Sequence, residues 1–204
     1  VQFRYFFGGP ASISLTPGLT YSEYARRGFF ELVTVAALVL PLLLLAHWLL
    51  HKEKPESERL FRFLAGIQIV SLFVIMASAF QRMRIYQREY GLTEQRLYPT
   101  AFMAWLAVVF VWFALTVLRG QRQYFAFGAM VAGFVLIAGL HLLNPDALIA
   151  RVNVTRALEG RRFDGQYAAS LSADAVPELI RALPRLHERE RRVAADRLPH
   201  AGGR

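Results

Sequence analysis

The chain has 204 residues, of which 55% are hydrophobic, and it carries a formal net charge of +9. A basic chain raises the possibility of nucleic-acid binding, but no basic helix with base-reading or stacking residues stands out, so we expect no nucleic-acid partner. Cysteine is absent, which excludes disulfides and Cys-ligated metal sites.

Four long apolar segments indicate the class of the protein. Each is close to the roughly 20 residues that an α-helix needs to cross the hydrocarbon core of a bilayer. A buried helix of a soluble domain is usually shorter and keeps a polar stripe. We therefore predict an all-α membrane protein with a four-helix transmembrane bundle, its spans at residues 29–50, 60–80, 98–118 and 124–143.

The segment before the first span, residues 1–28, is predicted to be a loop followed by an interfacial helix. Thr20 is a favourable N-cap, and Glu23 lies three residues later, as in a capping box. The chain begins at Val1, and nothing at its start resembles a signal peptide. From this we expect the C-terminal part of a longer membrane protein.

The connections between spans predict a compact bundle. The second span should continue as a polar helix through Tyr90 and end at Gly91 as a C-cap. The connection at residues 119–123 is short, so the third and fourth spans should be antiparallel neighbours. In the fourth span, Ala129 and Gly133 have the small-xxx-small spacing that allows close helix contact.

Residues 144–204 are predicted to form a helical, partly amphipathic tail whose last residues are disordered. Asn144-Pro145-Asp146 has the features of an N-cap, a proline at N1 and an acid in the first turn. The helix should stop at Gly160. Two placements stay open, an ordinary soluble helix or a helix on the membrane surface, which would use the apolar residues Leu148, Val152 and Leu158.

Lysine and arginine residues are more numerous near one predicted membrane face than near the other. That face receives both ends of the chain, so the positive-inside rule places both termini in the cytoplasm. We therefore expect a multi-pass membrane protein. Its expected surroundings are the lipid bilayer and anionic headgroups.

An acid just inside the first span is the most interesting polar residue. Intramembrane acids such as Glu31 are costly unless they are paired, and Arg27 lies one turn earlier. Topology brings further polar groups to the same face, where they would form a polar mouth for an anionic headgroup or substrate. Its members are Tyr24, Arg26, Arg27, Glu31, Arg82, Arg84, Glu94, Arg96, His141, Asn144 and Asp146. The alternative is headgroup-level anchoring with a salt bridge between helices.

No motif in the sequence indicates catalysis or a cofactor. His47 and His51 have a metal-binding spacing, but the third candidate, His141, lies at the opposite predicted face. We therefore expect interfacial histidines beside Trp48 and no metal. There is no phosphate loop, nucleophile elbow or zincin motif, so we predict no catalytic residue and no cofactor.

Two functions remain open at this point. In the first, the domain has a structural, signalling or assembly role and contacts a protein partner or an upstream domain of the same chain. In the alternative, the protein is a component of a transporter or channel, with Glu31, Gln68 and His141 along a polar path.

The stretch GLTYSEYARRGFFELV (Gly18–Val33) resembles the signature of a family of bacterial integral-membrane proteins described as a domain of unknown function, of the DUF4173/DUF4153 type. Three later stretches are similar to the same family in the expected order: YGLTEQRLYPTAF (Tyr90–Phe102), LNPDALIARVN (Leu143–Asn153) and SLSADAVPEL (Ser170–Leu179). The resemblance implies a multi-span protein of the bacterial cytoplasmic (inner) membrane with a helical C-terminal tail. It implies no particular activity, catalytic residue or cofactor.

Overall fold

The computed structural model describes residues 21–49, 55–161, 163–185 and 191. Every regular element in these residues is helical, which confirms the predicted all-α class. Four long helices come first: α1 Tyr21–Leu49, α2 Pro55–Tyr90, α3 Glu94–Thr116 and α4 Phe125–Leu143. The shorter helices are α5 Pro145–Leu158, α6 Gly165–Ala168 and α7 Val176–Ala182, with 3-10 turns at Arg122–Tyr124, Ala173–Ala175 and Leu183–Arg185.

All four long helices are long and apolar enough to cross a membrane. Each contains most of one predicted span, and α2 and α3 begin several residues earlier than the apolar stretch that marks them. Pro41 lies inside α1 without ending it. Helix α2 ends at Tyr90, and Gly91 follows with φ of +80°. The predicted glycine C-cap of the second long helix is therefore confirmed.

The chain divides into two compact units. Unit 1 comprises Val1–Tyr86 and Pro99–Val135, and unit 2 comprises Gln87–Tyr98 and Leu136–Arg204. Helix α2 therefore runs from unit 1 into unit 2 at its C-terminal end, and α3 begins in unit 2. Each unit has a core of its own.

Apolar side chains from α1, α2 and α3 hold unit 1 together. Leu32, Leu72, Met103, Phe110 and Phe113 are almost fully buried and belong to one cluster. The outward faces of the long helices are also apolar, as shown by the exposed side chains of Leu38, Phe63, Val70 and Phe127. Apolar residues on both the inner and the outer faces suit helices surrounded by lipid rather than by water.

Helix α4 contributes least to the core of unit 1, since no residue of its most apolar window is buried. It meets α3 where glycines face tryptophans. A Cβ atom on Gly128 would overlap the indole of Trp112, and one on Gly133 would lie 3.6 Å from Nε1 of Trp105. Close contact of the small residues therefore occurs, but it is closest at Gly128, one residue before the predicted Ala129.

Unit 2 is built largely from the tail. Helices α5, α6 and α7 surround a small core in which Ile149, Ala150, Leu171 and Leu179 are buried. Helix α5 begins after Asn144, which has φ of 47° and whose side chain accepts a hydrogen bond from the backbone N–H of the third residue along. The left-handed conformation is one that asparagine tolerates.

The buried side of α5 differs from the apolar side chosen from the sequence. Ile149, Ala150 and Ala157 are buried, whereas Leu158 is 48% exposed. Helix α5 packs its buried side against the rest of the tail. The apolar residues named from the sequence, Leu148, Val152 and Leu158, are not buried, so both placements of this helix stay open.

Candidate functional site

Arg156 of α5 holds the C-terminal end of α2 in unit 2. Its Nη1 donates to the carbonyl oxygen of Gln87 at 2.9 Å, and its Nη2 donates to that of Glu89 at 3.4 Å. The last four carbonyls of a helix have no partner within the helix. Arg156 therefore binds two carbonyls of the last turn of α2, one of which, that of Gln87, also accepts the backbone N–H of Gly91 at 2.9 Å.

Arg96 of α3 completes the coverage of the same helix end. Its Nη1 donates to the carbonyl oxygens of Tyr90 at 3.0 Å and Gly91 at 2.6 Å. Its guanidinium also lies over the Tyr90 ring, 5.8 Å from the centroid. Two positive charges thus lie at the negative end of the α2 dipole, where cations are favourable.

Asn153 of α5 fixes the turn between α2 and α3. Its Nδ2 donates to the carbonyl oxygen of Leu92 at 2.7 Å, and its Oδ1 accepts from the backbone N–H of Leu92 at 2.8 Å. A Cβ on Gly91 would lie 2.7 Å from the same Oδ1, so only glycine fits there. We call Arg96, Asn153 and Arg156, with the backbone of residues 87–92 that they bind, the helix-end clamp.

An acidic pair with a tyrosine lies at the start of α3. The carboxyl groups of Glu94 and Asp146 lie near each other. The backbone N–H of Glu94 donates to the Tyr167 hydroxyl at 3.0 Å, and that of Ser172 donates to Asp146 Oδ2 at 3.0 Å. Burial raises the pKa of the Tyr167 phenol, and the two carboxylates act in the same direction.

Unit 1 contains an ion pair between helices. Arg82 of α2 is only 3% exposed, and its Nη1 lies 3.8 Å from Oε2 of Glu31 in α1. Gly28, one turn before Glu31, leaves room for the arginine, since a Cβ there would lie 3.0 Å from Cδ of Arg82. Glu31 is thus paired across helices with Arg82, while Arg27 is exposed.

The sequence pattern of a family described as a domain of unknown function (DUF4153) matches residues 1–182. The chain belongs to the DUF4153 family. No curated protein and no solved structure matches it. The resemblance seen in the sequence is therefore confirmed, and the matched residues include both the helix-end clamp and the Glu31–Arg82 pair.

Three of the stretches that carry the DUF4153 resemblance meet in unit 2. Tyr90–Phe102 supplies Gly91 and Arg96, Leu143–Asn153 supplies Asn153, and Ser170–Leu179 supplies the backbone N–H that binds Asp146. The motif residues are thus largely used to join the ends of α2 and α3 to the tail. In the fourth stretch, Gly18–Val33, the described residues include Gly28 and Glu31.

The residues of the predicted polar mouth are divided between the two units. In unit 1, only Glu31 and Arg82 of this set form a described ion pair. Unit 2 brings Glu94 and Asp146 together, and Arg96 and Asn144 bind backbone. The exposed members are Arg26, Arg27, Arg84 and His141, and the side chain of Tyr24 is outside the described residues. One mouth that unites all these residues stays a prediction.

The structure describes several of the residues considered for metal binding or for a polar path. The imidazole of His47 packs on Phe61, with ring centroids 5.2 Å apart, and His51 lies outside the described residues. Gln68 is exposed on α2. Within the ranges that the structure describes, no three His, Asp or Glu side chains are grouped so as to hold a metal ion.

Sequence reasoning did not single out Arg156, Asn153 or Tyr167 as site residues. One signal was present, because a helix that ends at a glycine leaves carbonyls in need of donors. The partners, however, lie 61 to 69 residues further along the chain. Neither periodicity nor spacing indicates contacts at that separation.

Proposed function

We propose that this DUF4153 protein is an integral membrane protein of the bacterial cytoplasmic membrane whose spanning helices position a folded tail. Its role is structural, signalling or assembly, and the tail is presented to a protein partner or to another part of the same chain. The helix-end clamp is the observation that carries this proposal.

The clamp favours positioning because it joins the end of α2 and the start of α3 to α5 within unit 2. Arg156 and Asn153 belong to α5, Arg96 belongs to α3, and all three bind the last turn of α2 or the turn after it. Hydrogen bonds from charged groups contribute about 1.5–3 kcal/mol each when partly buried. A shift of either helix end would therefore be passed to α5 rather than absorbed by a loose connection.

Insertion in a membrane is supported by the outer faces of the long helices. Phe63, Val70, Phe127 and Phe134 are each more than 60% exposed, an arrangement that is unfavourable in water and ordinary in lipid. The bias of lysine and arginine supports an orientation in which both ends of the chain lie in the cytoplasm.

Spin labels within unit 2 test the positioning role. Cysteines at the exposed positions Gln95 and Ser172 would report the distance between the start of α3 and the tail in purified, lipid-reconstituted protein. We expect a narrow distance distribution that broadens in the Asn153→Asp, Arg156→Ala double variant. Arg151→Ala, which removes only an exposed pair with Glu178, is the control. A broad distribution in the wild type would contradict the proposal.

The second candidate, a transporter or channel component, is favoured by one observation. The Glu31–Arg82 pair places a buried guanidinium beside an acid on apolar helices, and such groups often mark ion or proton pathways. Proton flux into dye-loaded proteoliposomes tests this candidate. Loss of flux in Glu31→Gln, with flux retained in the surface control Glu58→Gln, would support transport. Absence of proton flux in the wild-type protein would contradict a transport function.

A further inference from the structure

A groove of about 780 Å³ lies on unit 1 between α3 and α4. Its volume is in the range of small-molecule sites, which usually enclose about 300–1,000 Å³. Along most of its length the lining is aliphatic or aromatic: Val108, Val111, Phe127, Val131, Ala132 and Val135. The indole of Trp112 also lines the groove, held by a hydrogen bond from its Nε1 to the carbonyl oxygen of Tyr124 at 3.2 Å.

The polar residues of the groove are gathered at one end. Thr116, Gln121 and Tyr124 line it where α3 turns into α4. The same connection carries Arg119, which is exposed. The groove therefore has an apolar interior and a polar mouth with one exposed arginine nearby in the chain, and this pattern matches a molecule with an apolar chain and an anionic head.

The length of the groove decides between a lipid and a helix. Along α3 the lining runs from Ala107 to Thr116, nine residues over which the helix rises about 14 Å. That is about half of the roughly 30 Å hydrocarbon core, the depth of one leaflet. A partner helix that crosses the whole bilayer would extend well past this groove. In addition, the close-approach position Gly128 is already filled by Trp112.

We propose that this groove is a binding site for an anionic glycerophospholipid of the leaflet next to the α3–α4 connection. An acyl chain lies between Val111 and Val131, and the phosphate lies at the mouth with Arg119. The inference rests on the proposed membrane insertion. It adds a site and a ligand class that insertion alone does not require.

Photocrosslinking of the full chain tests the site. The protein would be reconstituted into phosphatidylcholine vesicles that contain phosphatidylglycerol with a diazirine on one acyl chain. We expect adducts concentrated on residues 107–135. Adducts spread evenly over the exposed faces of α1 and α2 would overturn the site while leaving insertion intact. Absence of adducts on all four long helices would overturn the proposed membrane insertion as well.

Two matched variants provide a second test of the groove. Ala132→Phe fills the groove, and Ala77→Phe adds the same ring to an exposed position of α2. We expect Ala132→Phe to lose the adducts in the groove and Ala77→Phe to keep them. Arg119→Gln should lower the preference for phosphatidylglycerol over phosphatidylcholine about five-fold, as expected for one basic residue near a headgroup. An unchanged preference together with unchanged adducts in Ala132→Phe would contradict the proposal.

Discussion

Asn153 binds both polar groups of the Leu92 backbone, with its Nδ2 2.7 Å from the carbonyl oxygen and its Oδ1 2.8 Å from the nitrogen. An asparagine side chain can make this two-point contact because it carries a donor and an acceptor side by side. The contact joins residues 61 apart in the chain. It also engages both the donor and the acceptor of the Asn153 side chain.

Asn153→Asp tests this contact with almost no change in shape. The carboxylate keeps an acceptor for the Leu92 N–H but places an oxygen against the Leu92 carbonyl, so one hydrogen bond becomes a repulsion. We expect the free energy of unfolding of unit 2 to fall by about 1–3 kcal/mol, measured by thermal denaturation in detergent. Thr155→Val, which removes a bond within α5 only, should have a smaller effect. Equal effects would contradict the assignment.

Arg156→Lys should weaken the hold on α2 although it keeps the charge. Lysine cannot reproduce the fork that reaches the Gln87 and Glu89 carbonyls together. We expect a clear loss of thermal stability, compared with a change within about 0.5 kcal/mol for Arg151→Lys, whose ion pair is exposed. If both variants melt at the wild-type temperature, the clamp contributes nothing to stability.

Gly91→Ala separates backbone strain from contact. Gly91 and Gly160 have nearly the same φ, +80° and +79°, and a residue other than glycine costs about 1–2 kcal/mol in that conformation. Only at Gly91 would the added Cβ also meet a neighbour, Oδ1 of Asn153. Gly91→Ala should therefore lower the melting temperature more than Gly160→Ala. The reverse order would show that Asn153 moves aside freely.

Gly128→Ala should displace Trp112 from the contact between α3 and α4. The added Cβ would overlap the indole, and overpacking of this kind costs about 1–3 kcal/mol. We expect a changed tryptophan emission maximum and a lower melting temperature. Gly66→Ala is the control, since nothing lies within 4 Å of its Cβ position and alanine favours a helix. Unchanged emission in Gly128→Ala would contradict the packing.

Tyr167 should make the stability of unit 2 fall in alkali. Burial and the nearby carboxylates raise the pKa of its phenol. Below the ordinary tyrosine pKa of about 10, the phenol is protonated in both the folded and the unfolded chain, so this contribution is fully present. Above that pH the unfolded chain loses its proton first, and the contribution is lost as pH rises through the folded-state pKa. Denaturation curves of Tyr167→Phe against pH should lack this fall. An identical fall would assign it to other groups.

The fold followed from the sequence where a local rule applied. Four apolar stretches gave the four long helices, and Gly91, Gly160 and Asn144 marked the helix ends because their conformations suit those positions. The site did not follow in the same way. For Glu31 the sequence left open a pair with Arg27 or a salt bridge between helices, and it did not identify Arg82 as the partner. The partners of Gln87 and Leu92 come from α5, and only the packing of the tail brings them there.

The most direct test of the account is cysteine accessibility in native membranes. The chain has no cysteine of its own, so single cysteines at Ser22, Ser57, Gln95, Gln121 and Ser172 report cleanly. If α1 to α4 each cross the bilayer and the tail stays with the ends of α2 and α3, Ser22, Gln95 and Ser172 will label from the cytoplasm. Ser57 and Gln121 will then label from outside. Labelling of Gln95 and Ser172 from opposite sides would contradict the account, because the clamp requires both on one side.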